Sequence, residues 1–324
     1  VQCGTFWHFG KEYVLQKEKL VVILGPTATG KSRCGIRLAQ ELDGEIISGD
    51  SMLVYRQMNI GTAKPSASEL ALVPHHLVDI LPPDALFSVV DFTERAAAAI
   101  KAVNARGRLP ILVGGTGLYL RALLEDYQFS SVPENQALRR ELEQFAKDNG
   151  VAALHARLQA LEPAAAQRLH PNDVRRVVRA LETALAGETV SREKETELAY
   201  DATVFGLSME RSFLYERINR RVDQMVQQGL EQEVRRLLAS GVPADALSMK
   251  SLGYRQMAEY LAGDYDLSAA IDHIKKGTRH FAKRQITWYK QMPYVHWFLL
   301  DRSLNYEKIV ADMVSRLVEN SKKL

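Results

Sequence analysis

The run Gly25-Pro26-Thr27-Ala28-Thr29-Gly30-Lys31-Ser32 has the residue types and spacing of a phosphate-holding loop, G-x-x-x-x-G-K-[ST]. Backbone N–H groups of such a loop converge on phosphate oxygens, aided by the positive end of the helix that follows. Lys31 adds a point charge, and Ser32 offers a hydroxyl to Mg2+. The pattern specifies a phosphate or diphosphate and leaves open what carries it. Nucleotide hydrolysis also requires an acid at the end of a neighbouring strand to hold the magnesium shell. The apolar run Pro110 to Val113 ends instead in Gly114-Gly115-Thr116, and His76-Leu77-Val78-Asp79 is a short substitute beside prolines. Ordinary nucleotide hydrolysis is therefore disfavoured.

Other candidate residues read more blandly by themselves. Asp50 follows a short apolar run and has the type of a turn or helix-capping residue, as has Thr116. Arg175, Arg176 and Arg179 fall at i, i+1 and i+4 of a helical pattern, ordinarily a solvated face. His75 and His76 have no carboxylate or cysteine pattern to complete a metal site, so packing or turn roles are expected. Trp288, Tyr289, Tyr294 and Trp297 are expected to pack and not to stack on bases.

The elements that must position these residues alternate. Leu20 to Leu24 reads as a strand, Gly25 to Gly30 as a loop and Ser32 to Leu42 as a helix. Glu45 to Ser48 and Pro110 to Val113 read as further strands, with an Ala-rich helix over Asp91 to Val103 between them. This is the signature of an α/β fold with a parallel sheet, whose ligands collect at the carboxyl ends of the strands. From about Gln128 the pattern becomes helical, over Leu138 to Lys147, Val151 to Leu161 and Asp173 to Ala186. A strand at Thr203 to Leu207 returns to the sheet. Helices are then expected from near Ser212, over Val222 to Leu238, Tyr254 to Leu261 and Leu267 to Tyr289.

A chain of 324 residues is long enough for a main body and a smaller unit. Its 46% hydrophobic and 25% charged residues belong to a folded globular protein. No apolar run approaches the ~20 residues needed to span a bilayer. The two cysteines, Cys3 and Cys34, form no C-x-x-C pair, which argues against a disulfide framework or zinc site and for the cytoplasm. Net charge is only +3, so any nucleic-acid surface must be a local patch. Residues 1 to 18 show no clear period and stay outside the fold argument.

Across residues 20 to about 290 the chain resembles the tRNA dimethylallyltransferases, also called isopentenyl-tRNA transferases, of the bacterial type without a zinc finger. The resemblance rests on GPTATGKS (Gly25 to Ser32), SGDSMLVY (Ser48 to Tyr55), GTAKP (Gly61 to Pro65), PHHLVD (Pro74 to Asp79), GGTGLY (Gly114 to Tyr119), PNDVRRVVRALE (Pro171 to Glu182), GYRQ (Gly253 to Gln256) and AKRQITW (Ala282 to Trp288), in the family's order.

That resemblance implies an α/β fold with a P-loop nucleoside-triphosphate-hydrolase-like core, residues 20–127 and 201–324, and a helical insertion at 128–200 contacting a tRNA anticodon stem-loop. Residues 1–19 would be an N-terminal extension. The phosphate loop, Gly25, Pro26, Thr27, Ala28, Thr29, Gly30, Lys31 and Ser32, would hold the diphosphate of dimethylallyl diphosphate instead of ATP, with Mg2+ on Ser32. The N6 amine of the adenosine immediately 3′ of the anticodon would displace diphosphate. Asp50 would orient and deprotonate that amine, Thr116 would lie beside the substrates, and Arg217 in Tyr215 to Asn219 would stabilise the leaving diphosphate. Residues implied to touch tRNA are Asp50, Ser51, Met52 and Leu53; Arg175, Arg176, Val177, Val178 and Arg179; and Lys250, Ser251, Leu252, Gly253, Tyr254 and Arg255. A cytoplasmic monomer is expected. The rival readings are a P-loop nucleotide kinase or an adenylate isopentenyltransferase acting on free nucleotide, and a non-catalytic tRNA-binding protein.

Overall fold

The computed structural model describes residues 17–130, 132–188 and 197–321. Its sheet is six-stranded among the described residues and parallel throughout, in the order β3-β2-β4-β1-β5-β6. The strands are β1 (Lys19–Leu24), β2 (Gly44–Gly49), β3 (His75–His76), β4 (Leu109–Gly114), β5 (Asp201–Met209) and β6 (Val295–Leu300). In β1 every residue after Lys19 is buried, as a central parallel strand covered on both faces requires. Its side chains alternate between two cores. Leu20, Val22 and Leu24 join Phe92, Leu120 and Tyr289, whereas Val21 and Ile23 join Ile36, Leu38 and Val310.

The helices run in chain order as α1 (Lys31–Glu41), α2 (Ala67–Leu70), α3 (Val89–Ala105) and α4 (Gly117–Leu124), then α5 (Gln136–Asn149), α6 (Val151–Leu161), α7 (Pro163–Arg168) and α8 (Val174–Leu185). After β5 come α9 (Arg211–Gln227), α10 (Leu230–Ala239), α11 (Tyr254–Ala262), α12 (Leu267–Tyr289) and α13 (Tyr306–Ser321). One expectation needs correction. The helix read over Val222 to Leu238 is divided by Gly229, whose φ of 97° ends α9 and starts α10 in a left-handed conformation that glycine adopts at no steric cost. Val295 to Leu300, for which no strand was expected, forms the edge strand β6, paired from Val204↔Val295 to Met209↔Leu300.

The chain forms two compact units, Val1–Leu124 with Glu197–Leu324, and Glu125–Thr196. The expected boundaries at 128 and 200 thus move a few residues toward the N-terminus. The reason is local: Ala199 N–H donates to Leu124 O at 2.9 Å, Asp201 N–H donates to Glu18 O at 3.0 Å, and Leu198 and Tyr200 pack on the main core. The expected extension 1–19 is likewise shortened, because Lys19 opens β1 and Glu18 accepts from Asn104 Nδ2 at 2.7 Å. Residues 1–16 and Cys3 among them lie outside the described residues.

Site geometry follows from strand order. β1 and β4 are neighbours, yet the chain leaves β1 toward β2 on one side and β4 toward β5 on the other. Connections that depart in opposite directions open a crevice at the carboxyl ends of the two strands. β1 ends in the phosphate loop, β4 in Gly115-Thr116, and β2, on the far side of β4, in Asp50.

The helical unit has its own core of Leu142, Leu154, Leu158, Val177, Val178 and Leu181. Glu182 is only 1% exposed and accepts from Asn135 N–H at 2.7 Å, from Arg139 at 2.7 to 3.1 Å, and from Arg179. Desolvation alone would raise its pKa, but the hydrogen bonds from Arg139, Arg179 and Asn135 outweigh it and hold the carboxyl down at about 2. Because the folded value lies below the ordinary one, this stabilisation is complete above the unfolded pKa of 4.5 and is lost as pH falls through about 2. Glu182→Gln is expected to destabilise the helical unit by on the order of 2 kcal/mol at pH 7, discounted for the partial exposure of both arginines. Hydrogen exchange of α5 and α8 in the full chain measures this. Wild-type protection in the variant at pH 7, or a gap that does not narrow below pH 4.5, contradicts the assignment.

Candidate active site

The phosphate loop is bonded to later elements of the chain at Gly25, Thr27, Ala28 and Thr29. Ala28 adopts φ 66°, a left-handed conformation that costs a residue with a Cβ, and its carbonyl accepts from Arg217 Nε at 2.8 Å. Thr29 Oγ1 donates to Pro26 O at 2.8 Å, and Thr27 N–H donates to Gln285 Oε1 at 2.9 Å. Gly30 has φ 92°, and a Cβ there would lie 2.5 Å from the Tyr306 ring, so the position requires glycine for conformation and for space alike. Lys31 Nζ donates to Pro26 O at 2.9 Å, and Ser32 lies exposed in the first turn of α1.

α12 ties this loop to the end of β4. Gln285 Nε2 donates to Gly115 O at 2.7 Å, and the buried Tyr289 hydroxyl lies 2.8 Å from Gly115 O and 3.1 Å from Gly25 O. Burial, with the Asp50 charge adding to it, raises the Tyr289 pKa, so the phenol remains a donor. Thr116 links the ends of β2 and β4: its N–H donates to Gly49 O at 3.3 Å and its Oγ1 accepts from Ser51 N–H at 3.2 Å. Asp50 Oδ1 accepts from Met52 N–H at 2.8 Å, the turn contact its residue type suggests. Oδ2 is the oxygen left to take another donor.

Positive charge is concentrated beside the loop. Burial, then the Arg221 guanidinium, pushes the Lys31 ammonium down to about 7, against the pull of the Asp50 carboxylate. Burial also lowers the Arg221 pKa, with Asp50 opposing and Arg217 adding to the shift. Arg217 and Arg221, one turn apart on α9, line a cavity of about 870 Å³ together with Ala28, Gly30 and Lys64. Sequence reasoning missed Arg221, although its i+4 spacing from Arg217 was a usable signal. A dianionic ligand would offset the mutual repulsion of these cations and favour the charged form of Lys31.

The cavity's outer wall is the segment Asn59–Lys64. The carboxylate of Glu233, 2% exposed, accepts the N–H groups of Asn59, Ile60 and Gly61 at 3.0 to 3.2 Å and the Tyr254 hydroxyl at 2.5 Å. Lys64, its side chain 4% exposed, pairs with Asp79 and donates to Tyr55 O at 2.7 Å. Asp79 thus has a lysine as its partner.

The residues implied to touch tRNA separate by exposure. Ser51, Met52 and Leu53 are half-buried beside Asp50, and Arg175, Arg176, Lys250 and Arg255 are exposed. Val177 and Val178, 0% and 2% exposed, point into the helical unit's core, and Gly253 and Tyr254 are buried at the start of α11, so these four present no side chain outward. Arg179 is engaged with Glu182 and with Val132 O at 3.0 Å, a structural use that the solvated-face reading did not include. Ser251 donates to Ser248 O, and Leu252 is half-buried. His75 Nδ1 lies 2.8 Å from Val73 O, and His76 Nε2 lies 2.6 Å from the buried Glu45 carboxylate, which also accepts from Arg106 and Arg108, a polar network and not the packing or turn role expected. Among the described residues no group of three or more His, Cys, Asp or Glu could hold a metal.

A family model described as IPP transferase matches residues 53–292. The tRNA dimethylallyltransferase of Halalkalibacterium halodurans is 46% identical over 315 residues, 94% of this chain and 100% of that one. The tRNA dimethylallyltransferase of Geobacillus thermodenitrificans is 49% identical over 285 residues, 87% of this chain and 90% of its own. Solved structures are similar as well. The full-length tRNA isopentenylpyrophosphate transferase of Bacillus halodurans has a TM-score of 0.71 at 46% identity, covering 94% of this chain and 99% of that one. A eukaryotic dimethylallyltransferase acting on tRNA has a TM-score of 0.78 at 26% identity, covering 94% of this chain and 80% of that one. The relatives extend the match beyond the family model, and this chain belongs to the IPP transferase family, the tRNA dimethylallyltransferases.

Proposed function

We propose that this protein transfers the dimethylallyl group of dimethylallyl diphosphate to the N6 amine of the adenosine immediately 3′ of the anticodon in tRNA, releasing diphosphate. The observation that carries this reading is the convergence of a phosphate loop, Asp50 and Thr116 at the carboxyl ends of β1, β2 and β4, with Arg217 bonded to the loop itself. Relatives named for tRNA favour it over the free-nucleotide reading. Among the described residues no helix is long and apolar enough to cross a membrane, and the cytoplasm is where such a substrate is met.

The chemistry requires a leaving group held by positive charge and an amine made more nucleophilic. Loop amides, Lys31, Arg217 and Arg221 take up the diphosphate charge as the bond from the allylic carbon to oxygen breaks. Mg2+ binds few protein oxygens and completes its shell with water and substrate phosphates, so the exposed Ser32 hydroxyl beside the loop amides fits it. When bound, it supplies further neutralisation of the leaving diphosphate. The adenine amine is a weak nucleophile because its lone pair is delocalised. Asp50 Oδ2 accepts its N–H and takes the proton as the N–C bond forms. An anticodon loop gives up a base at low cost, since its bases are single-stranded.

Incubation with dimethylallyl diphosphate, Mg2+ and unmodified tRNA, followed by nucleoside mass spectrometry, is expected to give a dimethylallylated adenosine. ATP turnover to ADP with unmodified tRNA would overturn the reading. Asp50→Asn keeps one acceptor oxygen and removes the charge. It is expected to lower the single-turnover rate by ~10²- to 10⁴-fold with tRNA affinity little changed; a wild-type rate returns Asp50 to its turn role alone. For tRNA, the exposed pair is distinguished from its buried neighbour. Arg175→Ala with Arg176→Ala is expected to lower the slope of log affinity against log salt by about 2, one unit for each phosphate that goes unneutralised. Arg179→Ala should instead act through stability. An unchanged salt slope in the double variant leaves both arginines as a solvated face.

A further inference from the structure

Tyr306, the first residue of α13, is 4% exposed and lies beyond the segment matched by the family model. Its hydroxyl is 3.2 Å from Thr29 O, to which it donates, and it accepts from Arg217 Nη2 at 3.3 Å. Its ring occupies the space a Cβ on Gly30 would need, and the Arg33 guanidinium lies over the ring, 5.1 Å from its centroid. α13 is anchored against α1 through the core that holds Ile309, Val310 and Met313, so the ring is fixed from outside the loop.

We propose that Tyr306 is a positioning residue for diphosphate binding, its hydroxyl joining the Arg217 guanidinium to the backbone of the phosphate loop. The inference rests on the reading of that loop as a diphosphate site. Arg217 would otherwise be a long side chain with several rotamers, free to swing into the cavity it lines. Two hydrogen bonds restrain it, Nε on Ala28 O and Nη2 on the Tyr306 hydroxyl, and both lead back to the loop. The guanidinium therefore moves with the loop amides as one assembly, and its remaining N–H donors are held in place before a ligand arrives. Preorganisation of this kind reduces the ordering cost of binding. Burial also raises the Tyr306 pKa, which keeps the hydroxyl a donor to Thr29 O. The same residue explains the second glycine of the motif from outside, because the ring and Gly30 are complementary.

The test is calorimetry of inorganic diphosphate with Mg2+ on wild type, Tyr306→Phe, Arg217→Gln and the double variant. Phenylalanine keeps the ring against Gly30 and removes only the hydroxyl, so the fold is retained. Tyr306→Phe is expected to bind diphosphate about fivefold to tenfold more weakly, the loss of one hydrogen bond of ordinary net strength. In the Arg217→Gln background the same change should cost less than about twofold, because coupled residues are non-additive. In turnover, KM for dimethylallyl diphosphate should rise while KM for tRNA does not. Wild-type affinity in Tyr306→Phe, or losses that simply multiply in the double variant, overturn the positioning role. If wild type itself does not bind diphosphate, the reading of the loop fails and the inference falls with it.

Discussion

The parallel register of β1 against β4, from Val21 opposite Ile111 to Leu24 opposite Gly114, is the constraint on which the site depends. Both strands stop at the same height, and the chain turns away from them in opposite directions. Backbone from the phosphate loop and from Gly115-Thr116 must therefore face each other across the crevice. β2 is held against β4 with Gly49 opposite Gly114, and so delivers Asp50 to the same level. A slip of one residue in any of these pairings would reverse every buried side chain of the strand, which the two apolar cores forbid. The height of Asp50, Thr116 and the phosphate loop is in this way set by hydrophobic packing away from the crevice.

The loop itself is held by groups from elements late in the chain. Gln285 and Tyr289 approach from α12, Arg217 from α9 and Tyr306 from α13, each bonding to a loop carbonyl or N–H. Backbone groups so occupied cannot relax toward water, and the cations beside them repel one another in a partly desolvated setting. Burial first, and the Arg221 guanidinium second, hold the Lys31 pKa down. A ligand that brings negative charge relieves the second of these, so the loop and its cations form a setting that favours an anion.

The local parts of this design were legible in the sequence. Gly25 to Ser32 declares itself because all its chemistry lies within eight consecutive residues, and β1, β2 and β4 do so as short apolar runs between turn residues. Asp50 and Thr116 carried no such signal: their residue types suit ordinary turns, Asp50 does make a turn bond to Met52 N–H, and the bonds of Thr116 to Gly49 and Ser51 join segments some 65 positions apart, so only family resemblance singled the two out. What could not be read is what depends on distance along the chain. Thr29 and Tyr306 are separated by 277 positions, and no periodicity reports such a pairing. β6 was missed because a six-residue apolar run beside a long helix has no distinctive period. The division at Gly229 was missed because a single glycine inside a helical pattern is often tolerated. Val177, Val178 and Tyr254 show the converse limit, since a motif marks a segment without saying which of its side chains face inward.

The hydrogen bond from Ala199 N–H to Leu124 O places the point where the chain leaves the main body beside the point where it returns. The sheet therefore closes at that position without help from the intervening residues, and the loop-closure entropy of the excursion grows only slowly with its length. An excursion stitched at its base in this way behaves as a cassette. Its length can change while the strands keep their register, because the two ends of the excursion are held together by the main body alone.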